Sequence, residues 1–285
     1  MCKPTKLAIV ADDLTGLQAI ASEFAKLGLK VRTTLQVRDL TLAGDPDVLG
    51  IDTHSRHLPA SLAAAAVRSA VGGLRSLGVR YIYKQADSGM QGPLAAEIEA
   101  AMQEMGAPGV VFAPSCPLLR RVMQGARQRD EAGLDVDVAA LWRAQTGNVP
   151  ATCKAASWAE LRWQYPSPVW LADAQSDAEL RALASAAWPQ PDDPTAQPWL
   201  LAGSVGLASA LASRWRQRVP RPGARPVLVV AGSQQDQTRR QIEALVTSAD
   251  ARLLEVFDRA LSVGEEHAWL EQANTSAHNG QHVVV

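Results

Sequence analysis

The stretch LAIVADDLTGLQAIASEFAKLGLKV, residues 7–31, decides the fold. Leu7–Val10 form an apolar run suited to a strand buried on both faces. Leu17, Ile20, Ala21, Phe24 and Leu27 then recur at helical spacing, and Gly28 falls where a helix C-cap belongs. Apolar and β-branched residues return at 29–35 (LKVRTTL). This is a β-α-β unit, which implies a parallel sheet. Two adjacent aspartates, Asp12 and Asp13, stand where the first strand ends. One can cap the helix that follows. Neighbouring side chains at a strand end diverge, so the other is free to face a crevice.

The rhythm continues outward from that unit. Strands are expected at VLGI (48–51), YIYK (81–84), GVVFA (109–113), PVWLA (168–172) and PWLLA (198–202). Most are followed by a polar cluster and then a helix, with Pro59 and Pro93 opening two of the helices. In open parallel sheets the ligand crevice lies beyond the carboxyl ends of the strands, where these clusters fall. QRVPRPGARP (217–226) lacks periodicity and reads as a linker between a first domain, 1–216, and a second α/β segment, 227–285. In that segment strands are expected at 227–233, 253–256 and 282–285, with helices around TRRQIEALV and 265–273. The short segment is expected to be an incomplete domain or one completed by another chain.

Composition narrows the classes. The 285 residues are 47% hydrophobic with a formal net charge of −1, which describes a globular chain without the field that attracts nucleic acid or anionic lipid. No apolar run has membrane-spanning length, and the N-terminus lacks a signal-peptide core, so the expected location is the cytoplasm. Cys2, Cys116 and Cys153 show no metal spacing and read as reduced thiols. The eight tryptophans have no repeat spacing and read mostly as packing residues.

The polar clusters carry the chemistry. ADDLTG matches the D-x-D-x-T loop of haloacid dehalogenase phosphatases at Asp13 and Thr15, but Ala11 holds the nucleophile position, so that reading fails. DTHSRH (52–57) brings Ser55 and Arg56 to a second strand end, and a guanidinium can grip a carboxylate through two parallel bonds. His54 and His57 lack a third ligand, so no metal site is expected. KQADSG (84–89) brings Lys84, Asp87 and Ser88 to a third. Each cluster alone could be a cap or a solvated loop, and Lys84 a snorkelling lysine. Their recurrence at three strand ends points to one shared polyol site. Ser115 of PSCP is a further candidate contact. GSVG (203–206) and AGSQQDQT (231–238) place glycine and serine before helices, yet neither P-loop nor dinucleotide fingerprints occur.

Taken in order, VADDLTG, DTHSRH, YKQADSGMQG, APSCP, LADAQSDAEL, LAGSVGLASALA and VLVVAGSQQDQTRRQI resemble the four-carbon acid sugar kinase family. These enzymes phosphorylate threonate, erythronate or 3-oxo-tetronate with ATP. The resemblance implies an N-terminal sugar-acid-binding domain and a C-terminal nucleotide-binding domain, the latter shortened here because the family's later glycine-rich segment has no counterpart. It implies substrate contacts from Asp12, Asp13, Thr15, Ser55, Arg56, Lys84, Asp87 and Ser88, with one of Asp12, Asp13 or Asp87 as the base. Arg56 and Lys84 would hold the substrate carboxylate, while Gly232 and Ser233 would meet ATP, whose phosphates carry Mg²⁺. A homodimer is allowed. Gln91 stands where the family carries arginine, and a neutral amide forgoes a charge-assisted contact of about 1.5–3 kcal/mol. The alternative is a non-catalytic sugar-acid-binding remnant of such a kinase.

Overall fold

The computed structural model describes residues 7–165, 167–188, 198–215, 228–229, 231, 236–248, 251–254, 263–278 and 282–284. The chain divides into two compact units, Met1–Pro220 and Arg221–Val285.

The first unit is built on eight strands: β1 (Leu7–Ala11), β2 (Val31–Thr34), β3 (Val48–Asp52), β4 (Tyr81–Gln85), β5 (Val110–Ala113), and, after a small hairpin layer, β9 (Ala151–Lys154), β10 (Val169–Asp173) and β11 (Leu200–Gly203). All are parallel, in the order β2-β3-β1-β4-β11-β5-β10-β9. Every residue of β1, β3 and β4 is buried, as a parallel sheet covered on both faces requires.

Helices supply the two covers. Leu7, Ile9, Tyr81, Tyr83 and Leu201 pack with α1 (Leu14–Ala25), α6 (Asp177–Ala187) and α7 (Val205–Trp215) on one face. Ala8, Val10, Leu49, Ile82 and Phe112 pack with α2 (Ala60–Ser76), α3 (Leu94–Met105) and α4 (Val138–Thr146) on the other. The period of two along each strand is what sends neighbours to opposite faces. Tyr81, Trp188 and Trp215 form an edge-on aromatic cluster within the first core, with centroids 5.0 Å apart for Tyr81–Trp188 and 5.6 Å for Tyr81–Trp215. Trp163, on α5 (Trp158–Gln164), departs from the packing role expected of the tryptophans and is 76% exposed.

Local signals explain the helix ends. Asp13 caps α1 by accepting from the Gly16 N–H at 2.8 Å, and Ser176 with Glu179 forms a reciprocal capping box on α6. Helix α1 stops at Ala25, and Gly28 (φ 82°) closes the turn beyond it.

One layer was absent from the sequence reading. Strands β6 (Val122–Gln124), β7 (Arg127–Arg129) and β8 (Asp135–Asp137) form a small antiparallel sheet beside the carboxyl end of β10. Asp173 holds it there by accepting from the N–H groups of Gly125 (2.6 Å) and Ala126 (2.9 Å).

In the second unit, β12 (Leu228–Val229), β14 (His282–Val284) and β13 (Ala251–Leu253) form a parallel three-stranded sheet in that order, with α8 (Asp236–Ser248) and α9 (Val263–His278). The 217–226 linker reading lies outside the described residues.

Candidate functional site

The sheet order creates a switch point. The chain leaves β1 through α1 toward the β2 edge, but leaves β3 and β4 through α2 and α3 toward the opposite edge. Right-handed crossovers then put α1 on one face and α2 and α3 on the other, the arrangement in which an open parallel sheet offers a ligand site at the carboxyl ends of these strands. Asp12 and Asp13 follow β1, Ser55 and Arg56 follow β3, and Asp87 and Ser88 follow β4.

Arg56 organises this corner. Its Nε and Nη2 donate to the two oxygens of Asp12 at 3.0 and 2.9 Å, while Nη1 and Nη2 donate to the two oxygens of Asp13 at 2.7 and 2.9 Å. Four of its five N–H groups are thereby engaged in a double fork. Burial works against the Arg56 charge, but the Asp12 bonds and the charges of Asp12, Asp13 and Asp87 outweigh it and raise its pKa. The backbone completes the knot: the Asp12 carbonyl accepts from the N–H groups of Ser55 (3.0 Å) and Arg56 (3.2 Å). The Asp12 N–H in turn donates to Gln85 Oε1 at 3.1 Å. Gly92 presses against the same residue. Its φ is 82°, and a Cβ there would stand 2.9 Å from the Arg56 carbonyl oxygen.

The other candidates take different places. The Ser55 hydroxyl is fully buried and 2.6 Å from Thr53 Oγ1, whose own hydroxyl donates to the Ala11 carbonyl. Thr15 is exposed on the first turn of α1, and Gln91 is exposed, its N–H donating to Asp87 Oδ2 at 3.3 Å. Lys84 is fully buried, with Nζ 2.8 Å from Glu97 Oε2 and 2.6 Å from the Gln85 carbonyl oxygen. The Lys84–Glu97 contact is a close ion pair. The ammonium therefore faces a carboxylate inside the molecule. Ser115 is buried too, donating to the Ala174 carbonyl (2.7 Å) and accepting from the Met123 N–H (2.9 Å). Gly232 and Ser233 lie outside the described residues.

Two features escaped sequence reasoning. Buried Asp52 holds His54 through its N–H (2.8 Å) and Nδ1 (3.0 Å), stabilising a left-handed backbone (φ 55°) at a non-glycine position. The signal was an aspartate two residues before a strained position, the spacing of an Asx turn. The second is Arg121. A turn through Pro117–Leu119 and a left-handed Arg120 (φ 55°) folds the chain back so that Cys116 and Arg121 exchange backbone bonds at 2.8 and 3.2 Å. Arg121 then reaches Ser88 Oγ through Nη1 at 2.9 Å and Asp130 Oδ2 through Nε at 3.2 Å.

Among the described residues, no three or more His, Cys, Asp or Glu side chains group to hold a metal ion, and no helix is long and apolar enough to cross a membrane. Cys116 and Cys153 are free thiols.

Comparisons with known proteins agree with this architecture. A family model described as a sugar-binding N-terminal domain matches residues 7–129. The D-threonate kinase of Bordetella bronchiseptica is 34% identical over 265 residues, covering 84% of this chain and 62% of that protein. The D-threonate kinase of Cupriavidus necator is 31% identical over 306 residues, covering 94% of this chain and 70% of that protein. This chain thus spans less than two thirds of the Bordetella relative. A solved Bordetella bronchiseptica structure of a domain of unknown function, a domain-swapped dimer with bound citrate, superposes with a TM-score of 0.64 at 28% identity, covering 99% of this chain and 73% of that one. With these relatives and the polar residues at the switch point, the chain belongs to the four-carbon acid sugar kinase family.

Proposed function

We propose that this chain takes part in ATP-dependent phosphorylation of a four-carbon sugar acid in carbohydrate catabolism, with its first unit binding the acid. The observation that supports this most is the meeting of Asp12, Asp13 and Arg56 at the sheet's switch point, beside Asp87 and Ser88. Carboxylates at such a place accept hydrogen bonds from sugar hydroxyls, and one of them can take the proton of the attacking hydroxyl. Phosphoryl transfer is otherwise mainly positioning and charge neutralisation.

The hydrogen-bond inventory favours Asp87 as the base. Asp12 and Asp13 each accept a guanidinium fork, and Asp13 also caps α1. Among the described residues, Asp87 accepts one long backbone bond, from Gln91. ATP, with Mg²⁺ on its phosphates, supplies the phosphoryl group when bound, and Gly232 and Ser233 are the residues proposed to hold it. Location in the cytoplasm and a homodimeric state belong to the same proposal.

The test is ADP release in the presence of D-threonate, its stereoisomers, erythronate and 3-oxo-tetronate. Turnover with one of these acids and not with longer sugar acids is the expected result. Binding of the acid by calorimetry without turnover would leave a binding module in place of a kinase. Asp87→Asn is expected to lower kcat by about 10²–10⁴-fold, with acid binding changed only a few-fold.

A further inference from the structure

The cations first expected to hold the substrate carboxylate are otherwise engaged. Arg56 has one N–H left and sits between two carboxylates, and Lys84 is enclosed with Glu97. One guanidinium against Asp12 and Asp13 leaves the corner negative, and Asp87 adds to that. An anionic substrate needs a further cation there.

Arg121 supplies the donors: Asp130 beside it offsets its charge, so the acid would be held by directed guanidinium N–H bonds and not by net field. Its side chain is 32% exposed, and Asp130 fixes its plane through Nε. Nη1 gives one N–H to Ser88, so three of the five N–H groups have no partner among the described residues. The guanidinium lies against the β4–α3 loop near Asp87: the position of a Gly89 Cβ is 3.8 Å from Arg121 Nη1 and 2.9 Å from Asp87 Oδ2. A second, independent observation marks the same corner. Gln128 of β7 is fully buried, and its Nε2 donates to the carbonyls of Ser88 (3.1 Å) and Pro114 (3.4 Å). Those two carbonyls fix the amide's orientation, leaving Oε1 a buried acceptor without a partner.

We propose that Arg121, with the Ser88 hydroxyl, forms the carboxylate-recognition corner of the acid site, with Gln128 bracing the Ser88 backbone and offering its Oε1 only to a hydroxyl, so that the acid's hydroxyls lie toward Asp87 and the Asp12–Arg56–Asp13 fork. The inference rests on the sugar-acid reading above. It also gives a physical sense to Gln91: the cation of the site comes from the β6 hairpin, 33 residues after Ser88, instead of from the β4–α3 loop.

Calorimetry on the full chain tests it with three probes: D-threonate, citrate and the neutral four-carbon polyol erythritol. Arg121→Gln is expected to weaken D-threonate binding by about ten- to a hundredfold and to erase the preference for acid over erythritol, while erythritol binding stays unchanged. Arg121→Lys keeps the charge without the fork and is expected to lose less. Thermal melting of both variants checks that they fold, and an Arg121→Gln that does not fold leaves Arg121→Lys to decide, an unchanged acid preference in it counting against the corner. An unaltered acid preference in Arg121→Gln overturns the role of Arg121 and leaves the sugar-acid reading standing. Citrate binding that depends on Arg121, without binding of any four-carbon acid, keeps the corner and overturns the substrate class. Binding of no acid by the unmodified chain overturns both.

Discussion

Arg56 is a structural keystone before it is anything else. Asp12 is 2% exposed, and both of its oxygens lean on one guanidinium. Removing one partner of a buried ion pair leaves the other charge uncompensated, a loss of about 3–5 kcal/mol. Arg56→Gln is therefore expected to lower stability by roughly 3 kcal/mol or more in urea unfolding, beyond any effect on binding. The thiols give a second expectation. Burial, with a smaller contribution from the Asp173 charge, pushes Cys153 up to about 12, and burial also raises Cys116. A raised thiol pKa contributes stability that is complete below the unfolded-state value and is lost as pH climbs through the folded one. At pH 8.5, peptide mapping after iodoacetamide treatment should show Cys116 and Cys153 modified far more slowly in the native chain than in urea. The convergence of Asp12, Arg56 and Asp87 was legible because each follows an apolar strand in a run of sequence. Arg121 was not, since nothing local ties it to a serine 33 residues earlier.

At the scale of elements, β4 and α3 share the Lys84–Glu97 pair, both members of which are almost wholly inaccessible. The pair is tolerable because each charge answers the other, yet Glu97 Oε1 lacks a hydrogen-bond partner. Lys84→Met alone is expected to destabilise by about 3–5 kcal/mol, while Lys84→Met with Glu97→Leu recovers most of the loss. Urea unfolding of the two single variants and the double variant measures this. The sequence offered Lys84 as a substrate-carboxylate contact or else a snorkelling lysine, because a lone lysine at a strand end resembles an exposed one; only the neighbouring helix reveals its enclosure. The β6–β7–β8 layer escaped notice for another reason. Its strands are three residues long, and β7 and β8 are rich in charge, with Arg127 and Arg129 paired to Asp135 at 2.8 and 3.2 Å, so no apolar alternation marks the layer.

At the scale of the whole chain, the alternation of strand and helix made a parallel sheet legible from the first 31 residues onward. Strand order was not, because it is set by packing across the entire first unit. The most consequential placement is that of β11. Among the described residues it is the last strand of the unit in sequence, yet it lies between β4 and β5, with Leu201 opposite Tyr83 and Leu200 opposite Val110. A piece comprising 7–129, the stretch matched by the sugar-binding family model, lacks that strand. Expressed alone, it is expected to aggregate, as measured by the soluble fraction, while 1–220 stays in solution.

Beta-11 as a keystone strand also has a temporal meaning. A ribosome making this protein must emit β1 to β10 before the middle of the sheet can close, leaving two apolar strand edges unsatisfied throughout that interval. Nascent chains stalled before Leu200 are therefore the ones that should recruit holding chaperones, and release of those chaperones should coincide with the emergence of Leu200–Gly203.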